Sequence, residues 1–444
     1  MRYGVAVVVL GLVASGAVRA DDPISLGEAM SRARGGAREV TAAKARQEAA
    51  MARVSQASAY RLPSLTLSET YIRTDSPAES FALELNRNEF SFPNFVGSDP
   101  NDPGWSGTAI TRAEAMVPLF TGGELSGRID QARSAAEAAG SQASWAADNA
   151  ALNAGEAWVM LAQAEEFVSL LTKARDTVKA HVELAKSYVE QGMLVRSELL
   201  RAEVELARVE DLLEDAKGKA RVANANLAFR IGVAQDSTWQ LAPLPEPAPL
   251  DGDAATWVAS AASRKDLAAA RSLLRAGELE EKVKKAAWFP KVGVSARWDL
   301  HDKNLFGASG SAGTVMAFAA VNLFQGGADK AAVAAAREEA RAGREDVARF
   351  ADGVALEVRQ AYEEASTARA RHATAVRALE SARESERITD ERFKSGVVKT
   401  IDLLDAATAR REAETRELVA RADAHATALR LAVKAGKAPE TVAP

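Results

Sequence analysis

The sequence has no cysteine and only four histidines among its 444 residues. Without cysteine, disulfides, thiolate metal sites and a lipid on an N-terminal cysteine are all excluded. The histidines lie far apart, form no H-E-x-x-H pair, and are interpreted as surface or loop residues: His181, His301, His372 and His425. A phosphate-binding glycine loop with its lysine is also missing. The sequence therefore predicts no enzyme, no cofactor and no bound metal.

Long apolar runs are also missing, except at the start. Residues 1–20 are typical of a signal peptide, with Arg2 before an apolar core and a small-residue cleavage site at Val18-Arg19-Ala20. Beyond them no stretch approaches 18 uninterrupted apolar residues, so no transmembrane helix is predicted. The exported chain is expected in the periplasm, in the medium, or in the outer membrane as a β-barrel.

The charge balance argues against nucleic acid as a partner. The formal net charge is −5, and loss of Arg2 and Arg19 with residues 1–20 would make it −7. Such a chain would be repelled by phosphate backbones. We therefore expect no nucleic-acid binding.

Two short segments indicate an internal duplication. VPLFTGG begins at Val117 and VNLFQGG at Val321, 204 positions later (321 − 117). Each follows an alternating segment and opens a long Ala-, Glu- and Arg-rich one. The glycines Gly192 and Gly396 are also 204 positions apart (396 − 192). At about 1.5 Å per residue, each intervening helix would be roughly 100 Å long.

The duplication predicts a domain order. A first repeat spans residues 21–240, with a β-hairpin at 64–120 and a helical tip near Gly192. A Pro-rich connector at 241–254 precedes a second repeat at 255–444, with a hairpin at 291–324 and a tip near Gly396. Helices are predicted at residues 24–59, 124–190, 195–231, 255–287, 328–393 and 399–434.

In four segments, apolar and polar side chains alternate over about ten residues, which is the length of a tilted membrane strand. In the second, Ala113, Ala115, Val117 and Leu119 oppose Arg112 and Glu114; in the fourth, Val315, Val321 and Leu323 oppose Thr314 and Asn322. Glu69 on an apolar face, and Met316 and Phe318 on a polar one, break the pattern. The alternative is a soluble antiparallel sheet with one wet face. Loops 75–106 and 301–311 are expected outside the membrane.

The corners between strand and helix have their own local signals. Thr121 is predicted to be the N-cap and Glu124 the N3 residue of a capping box, while Gly122 and Gly123 permit the turn. The second corner has Gly326 and Gly327, but Gln325 in the cap position. The second cap is therefore expected to be weaker.

Taken together, these residues resemble the TolC-type outer-membrane efflux proteins. The resemblance rests on the signal peptide, the corners PLFTGG and NLFQGG and two tips of the form G-x5-[DE]-L-L, and covers about Ile24 to Lys434. It implies a mixed α+β fold of long antiparallel helices forming a periplasmic α-barrel. Four strands per chain would contribute to a trimeric 12-stranded outer-membrane β-barrel.

The resemblance also implies function and partners. The homotrimer would be a non-catalytic exit duct in outer-membrane lipid, reaching into the periplasm for efflux or type I secretion. It would meet a periplasmic adaptor, or membrane fusion, protein and an inner-membrane pump. The alternative is an exported coiled-coil scaffold without channel activity, which would explain the long helices but not the four strands.

Particular residues can be carried over from the family. Asp402 and Asp405, three positions apart and so on one helix face, match its periplasmic gate. Ser197 and Glu198 match its tip latch, but the usual tyrosine and arginine partners are replaced by Phe393 and Val398. The adaptor is expected to contact the tips at Gly192, Leu194, Gly396 and Val397.

Overall fold

A computed structural model describes residues 23–97, 99–395 and 397–442. The predicted signal peptide at 1–20 and the tip residue Gly396 lie outside the described residues. The fold is mixed α+β, as predicted, with long helices and one four-stranded antiparallel sheet. Within the described part of the chain, no helix is both long enough and apolar enough to cross a membrane.

The described part of the first half contains six helices and two strands. They are α1 Leu26–Gly36, α2 Arg38–Ala59, β1 Ser64–Thr74, α3 Pro77–Asn86, α4 Phe92–Gly97, β2 Ser106–Thr121, α5 Glu124–Glu190 and α6 Arg196–Ile231. The second half begins with α7 Ala254–Ser260 and α8 Lys265–Lys285, and continues with β3 Lys291–Asp302, β4 Gly310–Ala320, α9 Ala328–Lys394 and α10 Thr400–Lys434. Both α5 and α9 have 67 residues.

The predicted helix at 24–59 is interrupted. Ala37 has ψ 137°, an extended conformation, so one helix ends at Gly36 and the next begins at Arg38. The pair Gly35-Gly36 precedes the break, and glycine is a weak helix former. The predicted helix at 255–287 is likewise divided, because a 3-10 turn at Ala261–Ser263 separates α7 from α8.

Among the described residues, one compact unit contains residues 23–41, Ala146–Arg264 and the described part of the chain from Val354 onward. Its main core surrounds Trp158, which is 1% exposed and packs with Met30 and Leu429. The indole Nε1 of Trp158 donates a hydrogen bond to the Ile24 carbonyl at 2.9 Å. Ile24 in turn donates its N–H to the Gln240 carbonyl at 2.9 Å, so the start of the described chain is bound to the start of the connector.

Residues 241–253 of the Pro-rich connector contain no helix, as its prolines predict. Leu244 is buried, donates its N–H to the Glu166 carboxylate at 3.1 Å and accepts from the Arg421 guanidinium at 2.9 Å. His425 Nε2 lies 2.8 Å from the Pro245 carbonyl and must be the donor. The connector is therefore held on α5 and α10 through its own backbone.

The interpretation of the histidines as surface or loop residues was wrong for three of them. His301, His372 and His425 are only 4%, 8% and 4% exposed, in β3, α9 and α10 respectively. Burial lowers the pKa of His425 and favours its neutral form, despite the opposing hydrogen bond to Pro245.

The other compact unit, Ala42–Trp145 with Lys265–Gly353, contains the sheet. The strand order is β1-β2-β3-β4, and every neighbouring pair is antiparallel. Ala113 pairs with Leu67 on one side and Trp298 on the other, which places three predicted apolar residues on one face. Within this chain the apolar face is open, since Leu65 and Val315 are 79% and 78% exposed.

Two expectations about the strands and one about a loop change. The register shifts between Pro118 and Phe120, so Phe120 rather than Leu119 continues the pairing with β3; Pro118 has no N–H for a regular ladder. β4 ends at Ala320, and Val321 and Leu323 lie beyond it. The loop predicted at 75–106 contains α3 and α4.

Glu69, which broke the alternation, has partners. Its carboxylate accepts a hydrogen bond from the Thr111 hydroxyl and another from the Phe306 N–H at 3.0 Å. Thr111 is directly opposite Glu69 in the β1–β2 register, so the polar interaction between the two strands is confined to one cross-strand pair. The exception to the apolar pattern is thus compensated by hydrogen bonding.

We predict that Trp158→Phe lowers the free energy of unfolding by about 1–3 kcal/mol, because the change removes the buried bond to Ile24 and part of the indole packing. Chemical denaturation of the purified protein measures the difference. Trp288→Phe, at a tryptophan that is 48% exposed, is the control and should change the midpoint little. Equal effects of the two substitutions would contradict the assigned role of Trp158.

Candidate functional site: helix tips and strand–helix corners

The first corner reverses the chain through two glycines. Gly122 and Gly123 have φ +66° and +92°, which side-chain-bearing residues rarely adopt. A Cβ at Gly122 would come within 2.5 Å of the Ala286 carbonyl oxygen and 2.8 Å of Phe289 Cβ. This corner therefore needs glycine both for its conformation and for close packing.

The predicted capping box at this corner was wrong. The Gly123 carbonyl accepts the first helical bond, from Gly127 N–H at 2.9 Å, so Gly123 is the N-cap and Glu124 the first helical residue. Thr121 still contributes, because its hydroxyl accepts from Leu125 N–H at 3.3 Å. The N-cap therefore lies two residues later than predicted, whereas the helix begins at Glu124, as the predicted range 124–190 has it.

Glu124 joins the corner to the sheet. Its carboxylate lies 2.8 Å from Lys291 Nζ at the start of β3 and 3.0 Å from Arg128 one turn along α5. The hydrogen bond from Lys291 lowers the pKa of Glu124, partial burial opposes it, and Arg128 adds to the lowering. The ionised carboxylate also suits a helix N-terminus.

The second corner repeats the conformation in a more open setting. Gly326 and Gly327 have φ +61° and +85°, and the Gly327 carbonyl accepts from Ala331 N–H at 3.1 Å. A Cβ at Gly326 would meet no atom of the described residues within 4 Å. The two corners therefore share backbone geometry and differ in what packs against them.

An equivalent backbone hydrogen bond closes each of the two helical tips. At the first, Met193 N–H donates to the Tyr188 carbonyl at 2.9 Å; at the second, Val397 N–H donates to Arg392 at 3.0 Å. Each donor and acceptor is shifted by 204 positions (397 − 193; 392 − 188). Gly192 at the first tip has φ +73°, the left-handed conformation that ends many helices.

Asp402 has a structural task at the second tip. It is the third residue of α10, and its carboxylate accepts a hydrogen bond from the Lys399 N–H at 3.0 Å. Asp402 and Asp405 are both exposed. Asp402 thus caps α10 through one oxygen while its carboxylate remains accessible to solvent.

The two tips meet at a cleft of about 590 Å³. Glu198 lines it together with Phe393 and Val398, the residues that replace the family's tyrosine and arginine. Tyr188 and Lys399 line the same cleft and bring a hydroxyl and a cationic group to it. Ser197 is exposed, and Glu198 lies 3.5 Å from Arg201 on its own helix.

The tips also present apolar side chains to solvent. Met193, Val195 and Val397 are 61%, 64% and 73% exposed, while Leu194 is half-buried in the cleft. Exposed apolar residues concentrated at a helical end are typical of an interaction surface. Gly192, at the same turn, is exposed as well.

Comparison with known proteins identifies the family. The family model described as "Outer membrane efflux protein" matches residues 29–233 and 258–437, on either side of the connector. The chain therefore belongs to the outer membrane efflux protein family. Comparison with the curated proteins gave no match.

Solved structures show the same fold. The outer-membrane channel OprN is 19% identical, with 94% of this chain and 90% of that chain covered and a TM-score of 0.75. VceC from Vibrio cholerae is 19% identical, with 93% and 96% covered and a TM-score of 0.72. The open state of the Neisseria gonorrhoeae MtrE channel is 18% identical, with 93% and 89% covered and a TM-score of 0.74.

Some residues at these sites were not singled out by the sequence. Tyr188 and Lys399 enter the tip cleft from positions that no tip motif marks, and Lys291 reaches Glu124 from 167 positions away. The one sequence signal for Lys291 is its place at the start of the predicted hairpin at 291–324, directly after Pro290.

We predict that Gly122→Ala is more damaging than Gly326→Ala. Both substitutions strain a left-handed residue by about 1–2 kcal/mol, but only the first also forces Ala286 and Phe289 to move. The yield of folded, membrane-inserted protein and its denaturation midpoint measure the difference. If Gly326→Ala were the more damaging, packing around the first corner would not be the deciding factor.

We also predict a pH-dependent contribution from Glu124. Its folded-state pKa lies below the unfolded value of 4.5, so its stabilisation is present above pH 4.5 and is lost as the pH falls through the folded-state pKa. Glu124→Gln should cost up to about 1 kcal/mol at pH 7 and nothing at the acid end. Denaturation at a series of pH values, with the exposed Glu339→Gln as control, checks this; a pH-independent difference would refute it.

Proposed function

We propose that three copies of this chain form an exit duct of a tripartite efflux or type I secretion system. Their four-stranded sheets would close a 12-stranded barrel in outer-membrane lipid, and their helices would form a tunnel in the periplasm. The observation that carries this is the sheet itself, with an apolar face open over four strands and, among the described strands, β1 and β4 as its edges. Lipid tolerates no open edge, so strands must continue into neighbouring subunits.

The two faces of the sheet suit opposite surroundings. Leu65, Leu67 and Val315 would meet lipid, while Arg112 and Asp299 pair at 2.7 Å on the opposite face, toward the lumen. A polar lumen and an apolar exterior are what a membrane barrel requires. The same division would be unexplained in an exported coiled-coil scaffold.

We propose that Asp402 and Asp405 form the periplasmic gate. Both carboxylates are exposed at the tip of α10, and threefold symmetry would give a ring of six. Such a ring favours cations and offers a site at which a divalent ion blocks the pore. The cleft with Tyr188, Glu198, Phe393 and Lys399 would hold the tip closed, mainly by packing rather than through the usual tyrosine and arginine.

We further propose that the tips contact the partners. The exposed apolar residues Met193 and Val397, with Gly192 and Leu194 beside them, would receive a periplasmic adaptor that links the duct to an inner-membrane pump. Gly396, which aligns with Gly192 in the sequence, would belong to the same surface. Energy would come from the pump, and the duct itself would carry out no catalysis.

The gate is tested by recording purified trimers of the Asp402→Asn/Asp405→Asn variant in planar bilayers. Asparagine at 402 can still accept the Lys399 N–H, so the helix cap is retained while the charge is removed. We expect cation selectivity to fall and divalent block to weaken about threefold or more.

The matched control is Asp423→Asn, an exposed aspartate on the same helix away from the tip. It should leave selectivity and block at the wild-type level. Unchanged block in the double variant would refute the gate assignment, whereas failure of the wild-type trimer to conduct at all would refute the duct.

A further inference from the structure

We propose that Glu246, His372 and Glu417 form a binding site for a divalent transition-metal ion of the zinc type. Glu246 lies in the connector, His372 in α9 and Glu417 in α10. One ligand atom from each residue lies within 4.8 Å of the other two. All three belong to the same compact unit of the chain.

The distances fit one small ion. His372 Nε2 is 3.2 Å from Glu417 Oε1 and 3.7 Å from Glu246 Oε2. Ligands about 2.0–2.2 Å from a tetrahedral zinc ion lie roughly 3.3–3.6 Å from one another. The remaining pair, Glu246 and Glu417, lies within 4.8 Å, so movement of the exposed Glu246 side chain would bring the three atoms to these separations around an ion.

Glu246 is exposed, yet its backbone is fixed. The two preceding residues, Leu244 and Pro245, are bound to Glu166, Arg421 and His425 through three hydrogen bonds. The following residue is Pro247, whose ring restricts the backbone on the other side of Glu246. The carboxylate is therefore presented to His372 from a rigid segment.

The donor set favours zinc over calcium or magnesium. Imidazole nitrogen and carboxylate oxygen are both zinc ligands, and three protein ligands with water in the fourth position suit zinc, whereas calcium and magnesium prefer six or more oxygen ligands. The Glu246 side chain is 77% exposed, which leaves an entry path and a fourth position for water. His372 is buried, so its imidazole is held in place by the helices around it.

The neighbouring charges suit a divalent cation. Arg421 Nε lies 3.2 Å from Glu417 Oε1, and the same guanidinium also contacts Glu166. In this contact network the carboxylates of Glu166, Glu246 and Glu417 carry three negative charges and Arg421 carries one positive charge. With His372 neutral, the network has an excess of two negative charges (3 − 1). Arg421 would orient Glu417 in the way that outer partners commonly orient metal ligands.

A bound ion would tie three separate segments together. The connector already contacts α10 through Arg421 and His425, and the ion would add a direct link from the connector to α9 and α10. This role does not depend on the proposed duct function. Zinc should accordingly raise the resistance of the connector to proteolysis.

The test uses the untagged full chain in detergent, stripped with a chelator and dialysed against micromolar zinc chloride. Metal analysis should find one zinc per chain, and X-ray absorption should show one imidazole with oxygen ligands at about 2.0–2.2 Å. By calorimetry, Glu246→Gln should weaken zinc binding about tenfold or more, and His372→Gln should abolish it.

Two substitutions serve as matched controls, His181→Gln on α5 and the exposed Glu380→Gln two turns beyond His372 on α9. Both should bind zinc as the wild type does. Because Glu246 is exposed on a connector, its substitution keeps the test valid even if His372→Gln fails to fold. Absence of stoichiometric zinc, undiminished binding in Glu246→Gln, or equally tight binding of calcium would each overturn the proposal.

Discussion

The backbone hydrogen bonds of the sheet are the constraint on which the proposed assembly depends. β2 and β3 each pair along both sides, whereas the pairings of β1 and β4 within the described chain are on one side each. An unpaired edge invites pairing with another chain, and in lipid it is intolerable. The sheet of the single chain is therefore incomplete. In the proposed duct, lipid would cover its apolar face, and strands of neighbouring subunits would pair with its two edges.

The two strand–helix corners connect the sheet to the long helices. In the proposed duct, a strand that ends at the membrane surface must release its pairing and begin a helix within a few residues. Pro118 shifts the register near the end of β2, and Gly122 and Gly123 then reverse the backbone so that α5 can begin at Glu124. The ion pair between Lys291 and Glu124 links the first residue of α5 to the start of β3. The transition from strand to helix and the ion pair that stabilises it therefore lie at the same corner.

The sequence predicted the features that depend on local periodicity. The long helices, the four strands and their faces follow from side-chain spacing of 3.6 and 2 residues, and α5 begins and ends where the pattern does. The ends and interruptions of the helices were harder to predict from the sequence. The helix N-cap moved from Thr121 to Gly123, α1 stopped before Ala37, and α3 formed within a presumed loop, because each depends on a few backbone conformations rather than on a repeated pattern.

Sites built from distant segments could not be predicted in this way. Glu246 and His372 are 126 positions apart (372 − 246), and His372 and Glu417 are 45 apart, so no motif spacing marks them. What brings them together is the backbone of the connector, fixed at Leu244 and Pro245 by side chains of α5 and α10. Prolines remove helical alternatives for the connector, and buried polar groups on the helices then select one path for it. The connector is therefore an ordered structural element, and its order is what makes a metal site on its exposed side physically reasonable.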